Sequence, residues 1–204
     1  MDSINKLIQL FSDFPGIGPR QAKRFVYFLL SRDQSYLKEI SRLISELKNN
    51  ITSCRDCFRF FAKNHSGSDI CSICSDKNRD DSTLMIVSRD IDLENVERSQ
   101  SFKGKYFILG GTIPILEKMP EKKIRSSELA RKLEDKKEII KEIILATNLN
   151  TEGENTADYI IKSIGNITEK NSIKVSKLGR GLSTGTELEY SDSETIINAL
   201  KNRQ

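Results

Sequence analysis

Four cysteines, arranged as two close pairs, constrain this chain more than any other feature. Each pair encloses two residues, and thirteen residues separate the pairs. Two such pairs bring four thiolates around one tetrahedral Zn²⁺, and four protein ligands leave no coordination position for water or substrate. We therefore predict one structural zinc ion per chain, with Cys54, Cys57, Cys71 and Cys74 as its ligands.

Two alternative roles for these cysteines are a pair of disulfides and a redox-active dithiol, and the choice depends on the cellular compartment. The first residues include Asp2 and no long apolar core, unlike a signal peptide. The early apolar run from Phe25 to Leu30 has six residues, far short of the roughly 20 that span a bilayer. We expect a cytoplasmic protein, and in that reducing compartment clustered cysteines favour metal over disulfides.

The sequence around the cysteines is polar and contains Gly and Asp. It predicts a small loop organised by the metal, without a packed core of its own, so metal binding should supply much of its folding free energy. His65, the only histidine, is expected to be a solvated loop residue, and its alternative role is to replace one cysteine. Nearby cations are expected to offset the charge of the thiolates: Arg55, Arg59, Lys63, Lys77 and Arg79.

Apolar residues recur at helical spacing before the cysteines. The spacing i, i+3, i+4, i+7 predicts a first helix with one apolar stripe, formed by Ile4, Leu7, Ile8 and Phe11. The same pattern predicts a second helix from Pro19 through Leu29 and a third from Leu37 through Leu47. We assign residues 1–53 to a helical domain.

A glycine-containing turn separates the first two of these helices. Gly16 and Gly18 permit close backbone approach, and Pro19 suits the first turn of a helix because its missing N–H would have been unpaired. Exposed amides at a helix N-terminus hold phosphate, and cations beside them add to that grip. The segment is similar to the helix-hairpin-helix motif of DNA-repair proteins, which predicts DNA contacts at Gly16, Gly18, Arg20, Lys23 and Arg24. The alternative is a hairpin whose basic residues only form a solvated face.

Charge alone leaves the nucleic-acid hypothesis open. The chain has 33 basic and 29 acidic side chains, a net charge of +4. That balance is compatible with nucleic acid but does not demonstrate binding. The DNA prediction therefore depends on the hairpin.

Strand and helix patterns alternate in the second half of the chain. Short apolar runs begin at Leu84, Tyr106, Ile143 and Ile173, and helical stretches lie between them. This alternation predicts crossover units and a mainly parallel sheet with flanking helices. We assign residues 54–82 to the zinc finger, 83–176 to the α/β domain, and 177–204 to a C-terminal arm with a short helix, expected to serve oligomerisation.

The α/β segment resembles a Toprim domain, the metal-binding fold of topoisomerases, primases and some nucleases. Active members have a Glu after the first strand and an Asp-x-Asp after a later one. This chain has Ser88, Asn148 and Asn150 there, and losing three carboxylates removes the ligands that Mg²⁺ prefers. We expect no catalysis. An Mg²⁺-dependent nuclease or primase stays as the alternative because acidic residues remain nearby: Asp92, Glu152 and Glu154.

The order of these motifs, followed by the run Leu178–Gly185 and by Leu188-Glu189-Tyr190, resembles the bacterial RecR family across nearly the whole chain. The resemblance implies a non-catalytic DNA-binding clamp or scaffold in recombinational repair, acting with RecO and RecF to promote RecA loading at single-strand gaps. It also implies assembly through the terminal regions into a dimer or tetrameric ring. By the same resemblance, Glu152 and Glu154 belong to a RecO-facing surface.

The chain departs from the family pattern at two places. Ser88 replaces the usual Glu, and the run Gly179–Ser183 lacks the proline that the family has there. The first departure weakens a metal role for the Toprim-like domain, and the second leaves the conformation of the C-terminal loop open. A zinc-ribbon interaction protein without a DNA role is the remaining alternative.

Overall fold

The computed structural model describes residues 2–63, 67–179, 181, 182, 185 and 187–201. The chain divides into two compact units, Met1–Ile51 and Thr52–Gln204, which we call the N-terminal and C-terminal units. His65, Arg180 and Ser183, which entered the sequence predictions, lie outside the described residues.

Three helices form the N-terminal unit: α1 (Ser3–Ser12), α2 (Pro19–Leu30) and α3 (Gln34–Asn50). Asp2 caps α1 by accepting from the Ile4 amide, and Asp33 caps α3 by accepting from the Tyr36 amide. The predicted helical segment is confirmed.

The N-terminal unit buries few of its apolar side chains. Phe11 packs edge-on against Phe25, with 6.0 Å between the ring centroids. In the three helices, the described side chains that are buried are Ala22 and Val26. A larger apolar set is exposed and includes Leu7, Leu10, Tyr27, Leu30, Leu43, Ile44 and Leu47.

The cysteine segment is more ordered than the predicted loop. It contains two short paired strands, β1 (Ile51–Ser53) and β2 (Phe60–Ala62), and one helical turn, α4 (Ser72–Ser75). Cys54, Cys57 and Cys71 are fully buried in an apolar cluster with residues of the following domain. The expectation of a loop rather than a packed element is wrong, although much of the apolar cluster around the cysteines comes from the following domain and not from the segment itself.

A four-stranded parallel sheet forms the centre of the C-terminal unit. Its strands are β3 (Asp80–Val87), β4 (Gly104–Ile108), β5 (Glu142–Ala146) and β6 (Lys174–Lys177), in the order β4-β3-β5-β6. All three strand pairs are parallel, as the alternating pattern predicts.

The helices between these strands are α5 (Asp90–Ser99), α6 (Ser126–Asp135) and α7 (Thr151–Lys170). Asn150 caps the longest of them, α7, with its side chain accepting from the Gly153 amide at 2.8 Å.

Alternate residues of β3 point into two different apolar clusters. Leu84 and Ile86 belong to the larger cluster, which also includes residues of α6 and α7. Met85 and Val87 belong to the cluster that contains the cysteines and Leu93 of α5. The cysteine segment therefore packs against one face of the sheet.

The C-terminal arm contains a 3₁₀ turn at Leu188–Tyr190 and a last helix, α8 (Ser193–Lys201). The short amphipathic helix expected there is present. None of the helices in the described ranges has the length and apolar character that crossing a bilayer requires.

Candidate metal centre and nucleic-acid interface

The four cysteine sulfurs converge on one point. The ligand atoms of Cys54, Cys57, Cys71 and Cys74 all lie within 4.8 Å of one another. The sulfurs of Cys57 and Cys71 are 3.6 Å apart, close to the roughly 3.8 Å edge of a tetrahedron with Zn–S bonds of about 2.3 Å. Disulfide sulfurs are bonded at about 2.05 Å, and the four cysteines are free thiols. The cluster thus fits one tetrahedrally bound metal ion.

Local backbone structure presents the sulfurs to that point. We call residues 54–57 the first knuckle and residues 71–74 the second knuckle. In the first, the Phe58 amide donates to the Cys54 carbonyl at 2.9 Å, closing a tight turn in which Phe58 has a left-handed φ of +65°. The Cys71 amide donates to the Cys54 sulfur at 3.4 Å, which links the two knuckles and favours the thiolate form of Cys54.

The sulfurs also interact with one another. Hydrogen bonds from Cys57, Cys71 and Cys74 lower the pKa of Cys54. The pKa of Cys74 is raised, chiefly by its side-chain hydrogen bonds to Cys54, Cys57 and Cys71 and then by burial. A divalent cation at the centre removes this conflict, since metal binding deprotonates coordinating thiols.

Lysines of the sheet domain hold the first knuckle from outside. Lys132 of α6 donates to the Asp56 carbonyl at 2.9 Å, and its ammonium lies 2.9 Å from the Asp56 carboxylate. Lys136 reaches the same carboxylate at 3.3 Å. Burial acts to raise the pKa of Asp56, but the two ammonium groups outweigh it, so the pKa is lowered overall. Asp56 is therefore ionised at neutral pH.

Lys105 of β4 holds the second knuckle. Its ammonium donates to the carbonyls of Ile73 and Cys74 at 3.1 Å each and to that of Asp76 at 2.7 Å. These carbonyls lie at the end of α4, where a helix leaves acceptors without intrahelical partners. Lys105 therefore supplies the C-terminal cap of that turn.

Proximity in the sequence predicted that other cations would offset the charge of the thiolates. Arg55 instead pairs with Asp69 at 3.4 Å, and Arg79 pairs with Glu97 of α5. Lys105 and Lys132 escaped prediction because they lie 31 and 76 residues from the knuckle residues they bind. The only signal in the sequence is a lysine inside an otherwise apolar strand, at Lys105.

The hairpin between α1 and α2 has the geometry that its glycines suggest. Gly16 adopts φ +77°, a left-handed conformation that favours glycine. Gly18 occupies the N-cap of α2 without a side-chain cap, and the first turn of that helix carries no acidic residue. The amides there face no competing carboxylate from their own turn.

The predicted basic residues lie on the exposed surface beside this helix terminus. The side chains of Arg20, Lys23 and Arg24 are all exposed, and the Lys23 ammonium lies 5.9 Å from the centre of the Tyr27 ring. The arrangement combines free amides with three cations in two helical turns, a combination suited to an anionic backbone.

The positions at which active Toprim enzymes carry carboxylates lie at the carboxyl end of the sheet. Ser88 follows β3, is fully buried, and accepts from the Gly110 amide through its carbonyl at 3.0 Å. Asn150 caps α7. A Cβ at Gly153 would lie 2.0 Å from the Asn148 carbonyl oxygen, so this turn packs directly on the first turn of the helix.

The remaining acidic residues at this edge have their own contacts. Glu152 accepts from the Thr112 hydroxyl at 3.0 Å, and Glu154 pairs with Lys177 at 3.2 Å. Asp92 accepts from the Arg89 amide in the capping box of α5. Within the described ranges, the four cysteines are the group of metal-binding side chains that cluster.

Comparison with known proteins places these features in one family. A family model described as "RecR, helix-hairpin-helix" matches residues 4–48, a Toprim domain model matches residues 82–179, and a model described as "RecR, C-terminal" matches residues 181–204.

Curated relatives match over nearly the whole chain. A protein named Recombination protein RecR from Dehalococcoides mccartyi is 37% identical over 202 residues, which cover 99% of this chain and 94% of the relative. The chain belongs to the RecR family. The relatives of the same name from Phytoplasma mali and Frankia casuarinae are 36% and 34% identical, with coverage of 98% of this chain and 94% and 96% of the respective relatives.

Membership of the RecR family confirms the resemblance inferred from the motif order. The RecR helix-hairpin-helix model spans α1, α2 and most of α3, and the Toprim model begins in β3 and ends just beyond β6. The RecR C-terminal model begins after β6 and includes α8. The predicted fold class is thereby confirmed.

Proposed function

We propose that this RecR-family chain is a non-catalytic DNA-binding clamp in recombinational repair, acting with RecO and RecF to promote RecA loading at single-strand gaps. The observation that carries the proposal is the N-terminus of α2. Gly18 leaves its amides without a side-chain cap, and Arg20 and Arg24 are exposed beside it.

The chemistry of this terminus favours phosphate over bases. The amides and the positive end of the helix dipole attract an anion, and the guanidinium groups add charge-assisted hydrogen bonds. Such contacts grip the backbone of DNA and carry little sequence information. Binding is therefore sequence-independent and falls steeply as salt concentration rises.

The proposed metal is Zn²⁺, held by the four cysteines. Soft thiolate ligands in a tetrahedral set select zinc over hard cations. When bound, the ion supplies folding free energy and no chemistry on a substrate, because the four thiolates fill its coordination sphere.

Absence of catalysis is proposed from the residues at the carboxyl end of the sheet. Ser88, Asn148 and Asn150 stand where active Toprim enzymes carry carboxylates, and Mg²⁺ is recruited mainly by carboxylates. Magnesium-dependent cleavage or primer synthesis that disappears on Glu152→Gln would contradict this part of the proposal.

The proposed working form is a homo-oligomer, a dimer or a tetrameric ring, joined through the N-terminal helices and the arm at residues 177–204. The exposed apolar side chains of α1 and α3 support it, including Leu7, Ile44 and Leu47. A closed ring holds DNA topologically while each phosphate contact stays weak. Glu152 and Glu154 are proposed to lie on the surface that RecO binds.

Salt-dependent binding to gapped DNA tests the central claim. The double variant Arg20→Ala/Arg24→Ala should bind more weakly, with a salt dependence reduced by about one counterion per lost phosphate contact. The matched control is Lys38→Ala/Lys48→Ala, which removes the same charge from exposed positions of α3. Fluorescence anisotropy across a salt series measures both.

Comparing the two variants distinguishes DNA binding at the hairpin from a general effect of net charge. Equal losses of affinity in both would show that net charge, and not the hairpin, determines binding. Undiminished affinity in the arginine variant would reject the hairpin as the DNA site. No salt-sensitive binding by the wild-type protein would favour the alternative of a zinc-ribbon interaction protein without a DNA role.

A further inference from the structure

Two nearly buried lysines, far apart in sequence, contact the two cysteine knuckles. Lys105 is 6% exposed and Lys132 is 8% exposed. An ammonium group is costly to bury unless hydrogen bonds and a negative partner compensate it. Lys105 directs its three N–H donors to the three carbonyls around the second knuckle, so its hydrogen bonds are satisfied but these acceptors carry no net charge.

The carboxylates beside these lysines do not balance them. Within ion-pair distance of Lys105, the described residues offer one carboxylate, that of Asp81, at 3.6 Å and with a 62% exposed side chain. Exposed partners of this kind contribute little. On the other side of the centre, Lys132 and Lys136 share the single carboxylate of Asp56. The first knuckle thus has one surplus positive charge on the side that faces the sheet domain, and the second has a buried cation whose carboxylate partner is largely exposed.

The metal centre has the opposite surplus. Four thiolates around a divalent ion leave two formal negative charges in a buried site. The arginines near the knuckles in sequence, Arg55 and Arg79, bind Asp69 and Glu97 instead. The cations that contact the knuckle carbonyls are those of Lys105 on β4 and Lys132 on α6.

We infer that Lys105 and Lys132 are positioning residues for the metal, each fixing one knuckle and together balancing the negative charge of the metal–thiolate group. This inference rests on the proposed zinc centre. Lys105 binds the carbonyl of Cys74, itself a ligand, and Lys132 binds the residue that precedes Cys57. Their loss frees the knuckles to open, so the metal leaves faster.

Zinc release under native conditions tests this role. Full-length protein loaded with zinc is mixed with excess chelator, and a chromogenic zinc indicator follows release. Lys105→Met and Lys132→Met keep the aliphatic stem and remove the charge. Outer-shell partners of metal ligands change affinity by about 10- to 100-fold, and we expect release to accelerate by a factor in that range.

Matched controls remove a cation without removing an anchor. Lys103→Met changes an exposed lysine two residues before Lys105, and Arg131→Met changes an exposed arginine next to Lys132 on α6. Both should release zinc at the wild-type rate. Lys132→Arg, which keeps the charge, should release zinc more slowly than Lys132→Met.

A fold-stability control separates positioning from general loosening. Met85→Ala removes packing from the cluster that contains the cysteines without touching either lysine. Compared at temperatures equally far below their thermal midpoints, the lysine variants should release zinc faster than Met85→Ala. Their cobalt-substituted forms should show a ligand-field spectrum shifted from that of the wild-type protein. Release no faster than in Met85→Ala, or equal to that of the two cation controls, would overturn the positioning role. Wild-type protein that binds no zinc would overturn both this inference and the zinc proposal.

Discussion

Tyr106 donates its phenolic hydroxyl to the carboxylate of Glu97, with 2.7 Å between the two oxygens. Arg79 binds the same carboxylate and also donates to the Gly104 carbonyl at 3.2 Å. Tyr106 is fully buried in the cluster that contains Cys54, Cys57 and Cys71. Burial and the neighbouring carboxylate raise the pKa of the Tyr106 phenol, so the hydroxyl keeps its proton and acts as a donor. This network joins α5 to the strand that anchors the second knuckle.

Removing that hydroxyl should destabilise the C-terminal unit. Tyr106→Phe keeps the ring and loses one hydrogen bond to a charged acceptor, which is worth about 1.5 kcal/mol. Chemical denaturation should show a free energy of unfolding lower by that amount. Tyr159→Phe is the comparison, because Tyr159 packs at the edge of the other apolar cluster. An equal effect in the two variants would contradict a specific role for the Tyr106–Glu97 bond.

The Glu97 carboxylate should make the stability of the fold depend on pH, and the direction of that dependence follows from its pKa. Burial acts to raise the pKa of Glu97, but hydrogen bonds from Arg79 and Tyr106 outweigh it and lower the pKa below its usual value. A lowered folded-state pKa adds stability above the unfolded-state pKa, and that stability is lost as pH falls through the folded value. The stability difference between wild type and Glu97→Gln should therefore be largest at neutral pH and shrink below about pH 4.5. A difference that is constant from neutral to acid pH would contradict this account.

Gly153 should tolerate no side chain. A Cβ there would lie 2.0 Å from the Asn148 carbonyl oxygen and 2.8 Å from its carbon, so the backbone after β5 would have to move. Gly153→Ala is expected to lower the thermal midpoint by several degrees, an effect of about 2 kcal/mol. Gly165→Ala, in the same helix with open space around the new Cβ, should instead stabilise by up to about 1 kcal/mol because alanine has the higher helix propensity. Similar shifts in both variants would show that the contact with Asn148 is unimportant.

Metal content should depend on every cysteine of the cluster. Cys71→Ser replaces a buried ligand with a hard, neutral hydroxyl, and three thiolates leave the site incomplete. Elemental analysis of protein purified without chelator should find about one zinc per wild-type chain and much less in the variant. Ser72→Ala, at the exposed neighbouring position, should keep the wild-type content. Zinc absent from both, with disulfides present, would contradict the metal prediction.

Self-association should depend on the apolar surface of α3. Ile44 is 65% exposed, and Ile44→Asp places a charge in the proposed contact, where burial without a partner is costly. Light scattering over a dilution series should show a lower mass for this variant. Ser41→Asp adds the same charge to an exposed polar position of the same helix and should keep the wild-type mass. A wild-type protein that stays monomeric at high concentration and with gapped DNA would reject the ring.

Sequence reasoning succeeded where the determining residues lie close together in the chain. The cysteine spacing, the stripe of α1 and the Gly16–Pro19 turn are local patterns, and their structures follow from a few neighbouring residues. It failed for the packing of the cysteine segment and for Lys105 and Lys132, because those contacts join residues more than 30 positions apart. The apolar spacing of α3 predicts the helix but not its exposure, since the spacing is the same whether the stripe is buried or exposed.

The first knuckle covers the end of a backbone edge that would otherwise be open there. β4 is an outer strand of the sheet, and the Ile108 amide at its end donates to the Cys57 carbonyl at 3.0 Å. Every residue of β4 is buried, so an uncovered β4 would offer an apolar edge to which strands of other molecules can add. Metal loss that loosens the knuckle would thus lead to aggregation as well as to unfolding. Chelator-treated protein should scatter light increasingly with time while the zinc-loaded protein stays clear, and a chelated sample that remains clear would show that the edge stays protected.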